Sequence, residues 1–145
     1  MHNLPVFLAK TEAVLRQAGW SPERRVSTAE YEALYAREGL TVVPEALEVL
    51  RSFGGIVVRE PVASRGNAFG FDPSQALWKH VPDFTQPFED TGTPMCLIGS
   101  RDSLRNPLYI IPHGEVCMFT HTGELIVVGN NIVEAIESII RVPAY

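Results

Sequence analysis

The stretch from Gly114 to Ile140 constrains the fold of this chain more than any other segment. It holds two apolar runs, Val116-Cys117-Met118-Phe119 and Leu125-Ile126-Val127-Val128-Gly129, separated by His121-Thr122-Gly123-Glu124. Short apolar and β-branched runs broken by a glycine-containing turn read as paired strands. A helix follows, with Asn131 and Glu134 at the N-cap and third helical positions and Ile132, Ile136, Ile139 and Ile140 at helical spacing. A two-stranded hairpin is not stable on its own in water. The pattern therefore demands a sheet closed by a helix.

Helices are expected before the sheet. Pro5 suits a first helical turn, Phe7, Thr11, Val14, Leu15 and Ala18 recur at helical spacing, and Gly19 stands as a stop. Trp20 is then placed to pack over the helix end. Ser27-Thr28-Ala29-Glu30 matches a capping box, with Val26 and Tyr31 at the hydrophobic-staple positions and Gly39 at the end. A third helix starts near Pro44, presents Leu47 and Leu50 before Phe53, and stops at Gly54-Gly55. Ile56-Val57-Val58 and Ala68-Phe69-Gly70-Phe71 read as two short paired strands. Asp72-Pro73 opens a short helix over Ser74 to Trp78.

Met95–Ile98 and Leu108–Ile111 add two strands ahead of the C-terminal pair, so the last four form an antiparallel meander. Helices first, sheet afterwards and helix last is the order of an α+β fold, with N-terminal helices, a mostly antiparallel sheet of about six strands and a closing C-terminal helix. No internal repeat or linker interrupts residues 1–145, which read as one domain.

Charge narrows the partners. The net charge is −5 and the pI about 5.3, whereas a nucleic-acid binder carries a basic face. Direct DNA or RNA binding is disfavoured and a basic protein partner is better matched. Two cysteines without a disulfide framework, Cys96 and Cys117, fit a reducing compartment. The N-terminus lacks the pattern of a secretory signal and no apolar run reaches membrane-spanning length. A cytoplasmic location is expected.

Catalytic and metal motifs are not apparent. The four histidines, His2, His80, His113 and His121, have no zinc-ligand spacing to a cysteine or carboxylate. Cys117 and His121 could form a nucleophile pair, but a catalytic thiol needs an electropositive setting and this one is apolar and acidic. Gly66-Asn67-Ala68-Phe69-Gly70 lacks the Lys-Ser/Thr of a phosphate loop. Glu45/Glu48 and Glu134/Glu137 read as charge on solvated helix faces, and Arg24-Arg25 and Arg101 with Arg105 are too small to hold a polyanion. No cofactor is implied.

One surface feature stands out. The segment from His80 to Pro94 carries Pro82, Pro87 and Pro94, with Phe84 and Phe88 between them and Asp83, Glu89 and Asp90 but no Lys or Arg. A loop of this length is usually functional or mobile. Two readings stand side by side: an ordered loop whose phenylalanines tuck into the core, and an acidic, aromatic contact surface.

Several short pieces follow one another along the chain: Ala18-Gly19-Trp20-Ser21-Pro22-Glu23-Arg24-Arg25-Val26, Leu50-Arg51-Ser52-Phe53-Gly54-Gly55-Ile56, Phe71-Asp72-Pro73, Leu97-Ile98-Gly99, Gly114–Gly129, and the helix with Glu134-Ala135-Ile136. Their order and spacing resemble the third subfamily of the SUKH superfamily of bacterial immunity proteins. The chain departs by Ile56 in place of leucine, and by Cys117 or Met118 where an aromatic residue is usual.

The resemblance implies an α+β domain without enzymatic activity that binds a cognate polymorphic toxin domain, often a nuclease or nucleic-acid deaminase. It brings no catalytic residues to carry over. With the acidic balance, it directs attention to Trp78, Asp83, Phe84, Glu89 and Asp90 as the partner-binding set. The alternatives are a non-catalytic regulatory or scaffolding module of the same superfamily and, third, a small enzyme.

Overall fold

Four helices and six strands follow one another in a computed structural model that describes residues 7–59, 68–73, 92–101, 106–119 and 124–141. Helices α1 (Ala9–Gln17), α2 (Ala29–Glu38) and α3 (Pro44–Phe53) precede strands β1 (Val57–Arg59), β2 (Ala68–Gly70), β3 (Cys96–Arg101), β4 (Asn106–Ile110), β5 (Val116–Phe119) and β6 (Leu125–Gly129). Helix α4 (Ile132–Arg141) closes the chain. The strands form one antiparallel sheet in sequence order, β1-β2-β3-β4-β5-β6. The fold is α+β, with the expected segregation of helices from strands.

The helix boundaries follow local chemistry, with two corrections. Helix α1 begins at Ala9 rather than near Pro5, which lies outside the described residues. Phe7 precedes it as a buried anchor. At α2 the N-cap is Thr28 rather than Ser27. Ser27 Oγ instead accepts the Ala29 N–H at 3.2 Å, and Thr28 Oγ1 donates to Glu32 Oε2 at 2.7 Å. No capping box forms: Thr28 has no side-chain cap hydrogen bond, because its hydroxyl meets Glu32 across one helical turn instead, and with the N-cap at Thr28, Val26 and Tyr31 leave the staple positions. The C-terminal stop of α2 is as expected: Gly39 takes φ 67°, a left-handed conformation that costs glycine little. In α4, Asn131 Oδ1 accepts the Glu134 N–H at 2.9 Å, so the expected cap is in place.

The main core lies between the helices and one face of the sheet. It gathers Leu15, Tyr35, Ala46, Val49, Leu50 and Phe53 from α1–α3 with Ile98, Leu108, Ile110 and Met118 from the sheet and Ala135, Ile136 and Ile139 from α4. Trp20 stacks on Phe53 with ring centroids 5.5 Å apart and meets Phe7 edge-on at 5.3 Å. Each such pair adds about 0.5–1.5 kcal/mol beyond the area it buries. A second cluster, Leu34, Met95, Leu97, Tyr109 and Phe119, occupies the other face. Strands β3, β4 and β5 are buried along their whole length, which explains why they read as continuous apolar runs rather than alternating ones.

Close approaches of backbone require glycine at positions 54, 99 and 129. A Cβ on Gly99 would collide with the carbonyl of Gly70 on the neighbouring strand. A Cβ on Gly54 would lie 2.5 Å from Leu50 O and 2.9 Å from the Tyr31 ring.

Candidate functional site

A groove of about 340 Å³ opens between α3, the loop after α1, the turn joining β4 to β5, and the start of α4. Its apolar wall is Val49, Phe53, Ile110 and Ile132, and its polar lining includes Glu45, Glu48, Arg24, Arg51 and Asn131. Helix α3 dictates this mixture. Glu45, Glu48, Val49 and Ser52 are spaced i, i+3, i+4 and i+7, so they share one helix face.

The C-terminal end of α3 is held by Arg24. Its guanidinium donates to Ser52 O at 2.9 Å through Nη1 and to Gly54 O at 2.8 Å through Nη2. A cation suits the negative end of a helix, and the planar fork reaches two carbonyls that the helix cannot satisfy itself. Trp20 Nε1 donates to Ser52 Oγ at 3.1 Å, and the Val26 N–H donates to Arg51 O at 2.8 Å. The Arg24-Arg25 pair is therefore not a free basic patch: Arg24 is a structural clamp.

The N-terminal end of α3 differs. Glu45 Oε2 accepts the backbone N–H of His113 at 3.4 Å, a long hydrogen bond. Glu45 Oε1 is closed off from water with no hydrogen-bond partner. Glu45 thus departs from the expected solvated charge, because the β4–β5 turn folds over it. His113 has φ 83° and is the only non-glycine residue with positive φ among those described. Such a conformation costs an L-residue about 1–2 kcal/mol.

Cys96 and Cys117 are both buried and free. Burial pushes both thiols above their ordinary range, with Glu115 adding to the effect at Cys117. A protonated thiol is a poor nucleophile, and His121 lies outside the described residues. Tyr35 donates its hydroxyl to Leu97 O at 2.5 Å, and burial pushes its ionisation far up. Among the described residues no three His, Cys, Asp or Glu side chains converge as metal donors, and no helix is long and apolar enough to cross a membrane.

Arg101 is only 2% exposed, and its Nη2 donates to Ile139 O at 3.5 Å near the end of α4. Arg101, read from the sequence as half of a small basic cluster with Arg105, braces the C-terminal part of α4 from within the core. The expected partner-binding set, Trp78, Asp83, Phe84, Glu89 and Asp90, lies outside the described residues, as does the helix expected over residues 74–78. Sequence reasoning missed the groove, whose lining comes from four separate segments. The i, i+3, i+7 spacing of Glu45, Glu48 and Ser52 is its one visible trace.

Among the described residues this is a scaffold with a recess, in which no nucleophile and base are brought together. The model of the family described as SUKH-3 immunity protein matches residues 7–142. The chain belongs to the SUKH-3 immunity protein family. That match spans every helix and strand among the described residues, so the groove and the acidic segment both fall inside the SUKH-3 region. No curated protein and no solved structure matches the chain. Membership of the SUKH-3 family implies a role in toxin immunity, and with it the binding of a cognate toxin.

Proposed function

We propose that this protein binds a cognate toxin domain in the cytoplasm and neutralises it by direct protein–protein contact, without catalysis of its own. The observation that carries the reading is the SUKH-3 immunity family match over residues 7–142. The net charge of −5 supports a basic partner, such as a nuclease or nucleic-acid deaminase with cationic surroundings to its active site. Opposite charge steers association and suppresses wrong partners. The acids Asp83, Glu89 and Asp90, with Trp78 and Phe84, are proposed to form part of the contact surface: aromatic residues supply buried area and carboxylates supply complementarity.

The test is co-expression with the toxin domain encoded beside the gene, scored for growth rescue and co-purification. Rescue with co-purification is expected. Reversing the charge of Asp83, Glu89 and Asp90 together is expected to slow association at low salt and weaken the complex. Rescue without physical association would sink direct neutralisation, and unchanged affinity of the triple variant would remove the acidic segment from the surface.

A further inference from the structure

The groove along α3 is electrically polar. Glu45 and Glu48 stand in the first half of the helix and Arg51 in its last turn. Arg24 is fixed at that same last turn by Ser52 O and Gly54 O, flanked in sequence by Glu23 and Arg25, which also line the groove. Glu45 and Ser52 are seven residues apart, about 10 Å along the axis. One end is therefore carboxylate-rich and the other is dominated by guanidinium groups.

We propose that the acidic end of this groove, at Glu45, receives a cationic side chain, an arginine or lysine, projecting from the toxin. This rests on the immunity reading above and names the chemistry of one contact within it. Four observations converge on that end. Glu45 is under-satisfied, with one oxygen on a long hydrogen bond to the His113 N–H and the other closed off without a donor. A buried acceptor without a donor is costly. The carboxylate has only that long bond to give up when it turns towards an incoming cation, and a guanidinium returns two short, charge-assisted ones.

The second observation is shape. Val49, Ile110 and Ile132 offer an apolar wall to the methylene stem of a long side chain whose charge lies at its tip. The volume of about 340 Å³ is at the small end of the range of about 300–1,000 Å³ for ligand sites. It suits one side chain and not a folded element. The third is direction: Arg24 and Arg51 repel a cation from the opposite end, so a basic group can enter in one orientation only. The fourth is the turn itself. His113 is held at φ 83° beside Glu45, and unfavourable backbone conformations persist where the surroundings enforce them and cluster at binding sites.

Two measurements decide it. In the first, amide chemical shifts of the full chain are followed while N-acetyl-arginine amide is added, with the neutral isostere N-acetyl-citrulline amide as control. Saturable shifts at Gly114, Asn131 and Ile132 with arginine, absent with citrulline and lost in Glu45→Gln, are expected. No shifts, equal shifts with citrulline, or unchanged shifts in Glu45→Gln overturn the proposal. In the second, Glu45→Gln, checked for an unchanged amide spectrum outside the groove, is titrated with the toxin domain encoded beside the gene. Affinity lower by about 10- to 100-fold, with a shallower salt dependence, is expected for loss of one partner of a desolvated charge pair. Affinity within about twofold of the wild type overturns the proposal. If the wild-type chain does not bind that domain, the immunity reading fails, and the arginine titration still decides the chemistry of the groove.

Discussion

Glu137, in the closing helix, accepts the backbone N–H of Leu8 at 2.7 Å, joining residues 129 positions apart at the start of α1. The same carboxylate accepts the hydroxyl of Thr11 through its other oxygen. Leu8 is the N-cap of α1 and has no side chain able to cap it. The first N–H groups of a helix need acceptors, and its positive end favours a carboxylate. A residue of α4 therefore does for α1 what a local serine or aspartate does elsewhere.

Removing that carboxylate should loosen the first helix. Glu137→Ala is expected to lower unfolding stability by about 1.5–3 kcal/mol, the range for hydrogen bonds to a charged group. Thr11→Val should cost less. The two should be less than additive in a double-mutant cycle read from urea melts, because both act on one contact. Full additivity would show that Glu137 does not act through Thr11.

Arg24 makes a comparable prediction at α3. Arg24→Ala is expected to cost about 2 kcal/mol by thermal or chemical unfolding, since Ser52 O and Gly54 O lose a charged donor. Arg24→Lys should recover only part of this, because an ammonium lacks the fork that spans two carbonyls. A lysine variant as stable as the wild type would mean that charge alone matters there.

The glycines separate steric from conformational demands. Gly99→Ala should cost about 3 kcal/mol or more, because the added methyl meets the Gly70 carbonyl within the sheet. Gly39 sits at φ 67° with nothing within 4 Å of a built Cβ. Gly39→Ala should therefore cost only about 1 kcal/mol, the penalty of the left-handed conformation. Equal losses at the two sites, measured by guanidinium unfolding, would contradict this reading of the β2–β3 contact.

Alkaline pH should destabilise the fold in a defined window. Cys96, Cys117, Tyr31 and Tyr35 all have their ionisation pushed up, in each case first by burial. The unfolded chain therefore loses these protons first as pH rises. Stability should be constant through neutral pH, begin to fall above about 8.5 as unfolded thiols ionise, and fall faster above about 10 with the tyrosines. Melting temperatures from pH 7 to 11 check this. Cys96→Ala with Cys117→Ala should flatten the first part of the decline. Both thiols should also react slowly with a disulfide reagent at pH 8 until the protein is unfolded.

Glycine stops and strand runs are legible in the sequence because their causes are local. Gly39, Gly54 and Gly55 end helices where the sequence places them, and Val116–Phe119 and Leu125–Gly129 form strands because short apolar, β-branched runs have few other stable states. The cap at Asn131 depends on a span of four residues and is equally readable. The boundary at α2 lies one residue further on than its capping-box pattern suggests: Ser27 accepts the Ala29 N–H, whereas Thr28 donates to the Glu32 carboxylate rather than capping the helix.

By itself, the sequence determined the class of fold, the order of its elements and the family pattern, since these follow from periodicity and turn chemistry within a few residues. The tertiary structure decided what the charged side chains do. Along the chain Glu45 and Glu137 read as surface charge, and Arg24 and Arg101 as members of small basic clusters. Each is placed by a contact with a segment at least 28 residues away. Charge has no periodic signature when its partner is distant, so only the folded chain shows that Arg24 and Arg101 brace helix ends, that Glu137 caps one, and that Glu45 remains under-satisfied in the groove.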